Sequence, residues 1–357
     1  MKIAFIVYLR GVGGAEKQVI SLANDMVHRG HEVSLLCVGQ NNGFFEVDEN
    51  VNTYLIEDKG GKFVRTITRY LGLKKELGII LPDITINFWY SGAYLSVFSG
   101  KRVTGKVIYS ERGDPYEKEY SGLLFWIRNM TMPFIDAFVF QTKAARNYFD
   151  NRIRSRSVVI PNPIHLNEAV LTKKVEKKKI IITVGRLHRQ KNQKLLIDAF
   201  DIVRKSYPDY ELHIYGEGEL QKELNKYIVD LELQSKVFLK DNAKDILEKI
   251  KEADLFVLSS LYEGQPNVLL EALCLGVPSI STDYSPGGVD EIIHDGVNGF
   301  IVKNNDAKEL AAAICKVLGN EQIKDKFGKM GLIEPDRYEA KKVYDKWEKF
   351  IVETVHE

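Results

Sequence analysis

Short apolar runs alternate with amphipathic stretches along most of the chain. Lys2–Tyr8, Val33–Val38, Thr53–Ile56, Ile84–Phe88, Val107–Ser110, Ala137–Gln141 and Val158–Ile160 are rich in β-branched and aromatic residues and read as buried parallel strands. A 3.6-residue period between them predicts helices. In the first, Val19, Ile20, Leu22, Ala23, Met26 and Val27 share a face and Gly30 ends it; others cover 64–78, 91–99, 122–132 and 142–151. Pro161-Asn-Pro163 breaks the alternation, and the lysine-rich stretch that follows to Lys179 has neither period. A second series then begins, with strands at Ile180–Val184, Leu212–Tyr215, Val237–Leu239, Leu255–Leu258, Ser279–Thr282 and Phe300–Val302. Helical periods cover 192–206, 219–231, 243–250, 267–275, 306–318 and 321–329. A last helix, 336–353, sets Tyr344, Trp347, Phe350 and Ile351 on one stripe that needs a partner.

This alternation predicts an α/β chain with two doubly wound parallel sheets. The domains read as 1–165, a linker at 166–179, a second domain at 180–335, and a C-terminal helix at 336–357 packing back toward the first domain. With 357 residues the chain is comfortable for two domains of about 150–200 residues.

Composition narrows the function. The net charge of +1 gives no overall pull toward nucleic acid or an anionic membrane. Cys37, Cys274 and Cys315 are scattered without CxxC spacing, so they read as reduced thiols of a cytosolic protein rather than zinc ligands. No run is long enough to span a bilayer. The glycine turn Gly11-Val-Gly-Gly14 lies between the first strand and helix. Glu16 stands where a dinucleotide fingerprint wants a third glycine, and Gly39-Gln40-Asn41 stand where it wants an acid, so NAD or FAD is disfavoured.

The chemistry gathers at Glu263-Gly-Gln-Pro-Asn-Val-Leu-Leu-Glu271. Glu263 follows the strand Leu255–Leu258, Gly264 and Pro266 mark a tight loop, and a helix starts at Asn267. Open α/β sheets bind ligands at such a strand end. The amides of Asn267 and Val268 make an anion site, and carboxylates at Glu263 and Glu271 can each accept paired hydroxyls of a sugar. That combination suits a nucleotide sugar. The alternative is two solvated surface acids. Gly185, Arg186 and Lys191 follow the first strand of the second half, and two cations there can neutralise a diphosphate; they could equally pair with surface acids. No Asp-x-Asp signature for a metal is present. In the first half, Leu123-Leu-Phe-Trp-Ile127, with Arg65, Arg69, Lys101 and Arg102, is either a core helix with solvated bases or an interfacial surface.

The second half resembles the retaining nucleotide-sugar glycosyltransferases of family 4, whose Glu-seven residues-Glu motif is matched by Glu263 and Glu271. Their Gly-Arg-Leu and Gln-Lys segment is matched by Gly185, Arg186, Leu187, Gln190 and Lys191, and their Gly-Gly-Ala-Glu loop by Gly13, Gly14, Ala15 and Glu16. Gly287-Gly288 and Asp295–Phe300 resemble the family's C-terminal segment. The resemblance covers essentially the whole chain. It implies the GT-B architecture, two Rossmann-like domains facing a cleft, and a metal-independent hexosyltransferase without a cofactor. By that resemblance Glu271 holds the nucleotide ribose, Glu263 contacts the transferred sugar, and Arg186 and Lys191 bind the diphosphate. The amides of Asn267, Val268 and Gly14 assist, and Gly185 and Gly264 complete the donor site. The uracil falls near Lys240–Asn242, where the family usually has a glycine at the position of Lys240. The family's usual His near the donor sugar is missing from Tyr109-Ser-Glu-Arg-Gly-Asp-Pro115; Glu111 or Arg112 takes its place, with Asn162 a further sugar or acceptor contact. His188 reads as a surface residue.

The donor implied is a UDP-linked hexose or N-acetylhexosamine. The acceptor implied is a saccharide or polyprenyl-diphosphate-linked glycan of capsule, exopolysaccharide or O-antigen synthesis, at the cytoplasmic face of the membrane. Competing expectations are a glycosidase using Glu263 and Glu271, a nucleotide-sugar-binding protein without catalysis, and an epimerase.

Overall fold

The structure, a computed structural model, describes residues 1–9, 14–38, 46–57, 59–116, 122–166, 168–333 and 335–357. Gly11 and Gly13 of the glycine turn, and Gly39-Gln40-Asn41, lie outside them. The described chain forms two compact units, Met1–Pro163 with Arg337–Glu357, and Ile164–Asp336.

The first unit holds a seven-stranded parallel sheet: β1 (Lys2–Tyr8), β2 (Glu32–Val38), β3 (Asn52–Ile56), β4 (Ile84–Asn87), β5 (Lys106–Glu111), β6 (Ala137–Phe140) and β7 (Ser157–Val159), in the order β3-β2-β1-β4-β5-β6-β7. The period-2 alternation of β1 divides the core. Ile3, Phe5 and Val7 face Val19, Leu22 and Met26 of the helix Gly14–His28, together with Val343, Trp347 and Ile351 of the C-terminal helix Ala340–His356. Ala4, Ile6 and Tyr8 face Leu73 and Leu77 of the helix Lys62–Ile80. Trp347 is buried and stacks on Phe88 at 5.8 Å between ring centroids. Arg29 secures the C-terminal helix at its rim, reaching Asp345 at 2.8 Å and Glu348 at 2.7 Å.

The second unit holds a six-stranded parallel sheet: β8 (Lys178–Val184), β9 (Glu211–Tyr215), β10 (Val237–Lys240), β11 (Ala253–Leu258), β12 (Ser279–Thr282) and β13 (Gly299–Val302), in the order β10-β9-β8-β11-β12-β13. Its core joins Ile181, Leu212, Leu255 and Ile280 of the strands to Leu196, Phe200 and Ile314 of the covering helices. The Asp295–Phe300 motif is structural: Asn298 is fully buried, accepts from the His294 amide and donates to the carbonyls of Ile292 and Gly331.

Three segments depart from the sequence reading. The lysine-rich stretch has structure of its own, a helix over Glu168–Thr172, and β8 begins at Lys178. Five helical residues are too few to show a period. Lysines tie this stretch to the second unit: Lys251 donates to the carbonyls of Val170 and Leu171, Lys177 to those of Lys251 and Ala253, and Lys173 and Lys178 pair with Glu248 and Glu252. The helix expected over 142–151 is two, Lys143–Asn147 and Asn151–Arg154, because Thr142 and Asp150 each cap a separate start. The helix Leu123–Thr131 is not a core helix. Leu123, Trp126 and Met130, at i, i+3 and i+7, are 75%, 68% and 66% exposed. Its base points inward instead: Arg128 is buried against the rings of Tyr148 and Phe149.

Candidate active site

In the second sheet β8 and β11 are neighbours, and the chain leaves them in opposite directions, toward β9 and toward β12. That is the topological switch point, where loops splay apart at the carboxyl ends of the strands. The loop after β8 carries Gly185, Arg186, Gln190 and Lys191; the loop after β11 carries Ser260, Glu263 and Gly264 and runs into the helix Asn267–Cys274.

The structure brings the sequence-predicted residues of this unit together. Glu263 is not a solvated acid: it is 6% exposed, and its Oε1 accepts from Lys191 Nζ at 2.5 Å and from Ser260 Oγ at 2.6 Å. The stem of Lys191 lies against Gly185, where a Cβ would meet the Lys191 side chain at 3.1 Å. Arg186 stays exposed beside them, its Nη2 3.4 Å from Gln190 Oε1. Asn267 and Val268 form the first turn of their helix, and Pro266 provides no side-chain cap, so the amide end faces the loop. Glu271 is half-buried one turn further on. Burial, and after it the charge of Glu271, pushes the Cys274 thiol up to about 11. An anion is therefore offered Arg186, Lys191 and a helix N-terminus, with carboxylates set to either side.

Sequence reasoning missed several residues that shape this site. Gly216 and Gly218 follow β9 and pass directly beneath the Arg186 loop. A Cβ at Gly216 would lie 2.0 Å from the Gly185 carbonyl oxygen, and one at Gly218 2.3 Å from that of Leu187. The Gly-Glu-Gly triplet after a strand was the available signal. Gln193, 3% exposed, donates Nε2 to the Arg186 carbonyl at 2.8 Å. His188 caps the short turn Arg189–Lys191, its Nδ1 accepting from the Gln190 amide. At the expected base site, Lys240 ends β10 and its carbonyl accepts from Gly216, while Asn242 donates to Glu217 at 3.3 Å.

In the first unit, Gly14 opens the helix after β1. At the carboxyl end of β5, Glu111 is 3% exposed. Its Oε2 accepts from Tyr109 Oη at 2.8 Å, and its Oε1 from the amides of Arg112 and Gly113. Burial raises its pKa, opposed by the Arg128 charge and these donors. The Arg112 guanidinium lies 4.0 Å from the Phe88 ring centroid and donates to Asn162 Oδ1 at 2.7 Å, an oxygen that also accepts from Gln141. Burial lowers its pKa. Glu111, Arg112 and Asn162 thus form one cluster, with Glu111 turned into its own loop. Among the described residues no group of three or more His, Cys, Asp or Glu is placed to hold a metal ion.

Solved GT-B structures superpose on the whole chain. Anabaena HepE in complex with UDP and glucose has a TM-score of 0.81 at 17% identity, covering 99% of this chain and all of that one. The chain therefore has the GT-B fold. Residues 12–168 match the family model of Glycosyltransferase Family 4, and residues 168–332 that of Glycosyl transferases group 1. The protein is a GT-B glycosyltransferase related to these families. It is 24% identical over 350 residues to an uncharacterized glycosyltransferase of Haemophilus influenzae, covering 96% of this chain and 97% of the relative. It is 26% identical over 363 residues, 99% of each chain, to a Campylobacter jejuni enzyme named GalNAc-α-(1→4)-GalNAc-α-(1→3)-diNAcBac-PP-undecaprenol α-1,4-N-acetyl-D-galactosaminyltransferase.

Proposed function

We propose that this protein is a retaining, metal-independent hexosyltransferase. It moves a hexose or N-acetylhexosamine from a UDP-sugar to a saccharide or polyprenyl-diphosphate-linked acceptor in bacterial glycan assembly. The observation that carries the reading is the meeting of Arg186, Lys191, Glu263 and the Asn267 helix start at one switch point. UDP is favoured because the HepE structure holds it, and a lipid-linked acceptor because the Campylobacter relative is named for one linked to PP-undecaprenol.

In this reading the diphosphate sits against Arg186, Lys191 and the amides of Asn267 and Val268. Glu271 takes the ribose hydroxyls and Glu263 those of the sugar. The bond from the anomeric carbon to the phosphate oxygen breaks as the acceptor oxygen attacks from the same face. The acceptor proton passes to the leaving phosphate, so the protein supplies charge stabilisation and positioning rather than a base. Gly185 and Gly264 give close backbone approach. Gly14, and Glu111, Arg112 and Asn162 as sugar or acceptor contacts, rest on the family resemblance. A glycosidase role is disfavoured because Oε1 of Glu263 is already committed to Lys191 Nζ and Ser260 Oγ.

The first unit would present the acceptor. Val64, Ile67 and Leu71 are exposed on the helix Lys62–Ile80, as are Leu123, Trp126 and Met130 on Leu123–Thr131, and both helices lie against the helix Tyr90–Ser99. With Arg65, Arg69, Lys101 and Arg102 nearby in the same unit, this face suits an anionic membrane surface. We place the enzyme at the cytoplasmic face on that ground; among the described residues no helix is long and apolar enough to cross a membrane. Calorimetric titration with UDP-, GDP- and ADP-sugars tests the donor. The expected result is UDP-sugar binding that EDTA leaves unchanged, with a product of the donor's anomeric configuration. Binding of none of the three contradicts it.

A further inference from the structure

Gln190 stands between the two charged groups of the donor site and touches both loops. Its carbonyl accepts from the Leu261 amide at 2.8 Å, and its Nε2 donates to the Tyr262 carbonyl at 2.9 Å. The same Nε2 lies 3.5 Å from Glu263 Oε2, and its Oε1 lies 3.4 Å from Arg186 Nη2. These contacts join the loop after β8 to the loop after β11, across 71 to 73 residues of sequence. An amide offers a donor and an acceptor on one planar end without a change of protonation. Glutamate at this place would keep the acceptor for Arg186, lose the donor to Tyr262, and set a second carboxylate against Glu263. Leucine would lose both.

We propose that Gln190 is a positioning residue that fixes the sugar-gripping carboxylate of Glu263 relative to the diphosphate-binding Arg186, so that one ligand engages both loops in register. This rests on the nucleotide-sugar reading above. Gln190 need not touch the donor; it acts through Glu263 and Arg186. Its removal should therefore affect recognition of the sugar more than recognition of the nucleotide, because the phosphate and ribose contacts remain.

The test compares wild type with Gln190→Glu, a change of nearly equal size. In the ligand-free proteins, hydrogen exchange of 259–266 should accelerate roughly tenfold in the variant, with β9 and β10 unchanged. UDP affinity should stay within roughly threefold, while the advantage of UDP-glucose over UDP falls roughly tenfold. The variant's kcat relative to wild type should recover as pH falls from about 8 to about 5.5, because a protonated Glu at this position donates again. Unchanged exchange overturns the link between the loops. Faster exchange with unaltered sugar preference and kcat makes Gln190 merely structural and overturns its role in positioning. Absence of nucleotide-sugar binding by wild type overturns the reading of the site, and with it the donor half of the proposal, while the exchange comparison still decides whether Gln190 links the loops.

Discussion

Lys191 Nζ and Glu263 Oε1 lie 2.5 Å apart, and each side chain is largely withdrawn from water, at 16% and 7% exposure. Each would be costly alone there, and each is neutralised by the other. Arg186 stays at the rim. In the ligand-free protein the site thus holds one exposed cation and one shared cation. A diphosphate, carrying about two negative charges, draws on both.

Lys191→Ala should abolish transfer and destabilise the protein by about 3 kcal/mol, because Glu263 is left buried without its cation. The double substitution Lys191→Met with Glu263→Gln should recover most of that stability and none of the transfer. Denaturant melts and product assays on the same samples separate the two effects. Full turnover by Lys191→Ala would contradict the role given to this pair.

Gly216→Ala should disable the donor site while leaving the first unit folded. The added Cβ has only 2.0 Å to the Gly185 carbonyl oxygen, and the backbone at φ 146° disfavours any side chain. The β8 loop must move, taking Arg186 and Lys191 with it. Calorimetry should show UDP binding weakened by at least about 1.4 kcal/mol, or tenfold.

Glu111→Gln tests the buried carboxyl of the first unit. Burial raises the folded-state pKa of Glu111. Ionising it therefore costs stability. The wild type is favoured below the unfolded pKa and loses that contribution as pH rises through the folded value. Glutamine can still accept from the amides of Arg112 and Gly113 and has no charge to desolvate. Its melting temperature should gain on wild type as pH rises from about 4 to about 8. A difference that is constant with pH would show that Glu111 does not titrate in this range.

Trp347→Ala should cost about 3–5 kcal/mol, since the ring is 2% exposed and stacks on Phe88 within the core that Ile3, Phe5 and Val7 share. Chemical denaturation measures it. A loss under about 1 kcal/mol would mean that the C-terminal helix contributes little to the first unit.

The strands were legible because each is a short apolar run bounded by turn residues, as at Ile84–Asn87 and Leu255–Leu258. The donor loops were legible because their chemistry lies in contiguous motifs. What stayed hidden depends on partners far away in sequence. Gln190 and Ser260 acquire roles only when the loops after β8 and β11 meet. Trp126 and Arg128 show the limit of periodicity: it groups residues on a face but does not say which face is buried. Here the stripe points out and the arginine points in. The stretch 173–178 read as a linker without period, yet Lys177 is held by the carbonyls of Lys251 and Ala253, and burial lowers its pKa to about 8.

The most direct measurement is a crystal structure of the protein with UDP. The diphosphate should lie against Arg186, Lys191 and the amides of Asn267 and Val268, with the ribose on Glu271. UDP bound away from the carboxyl ends of β8 and β11 would contradict it.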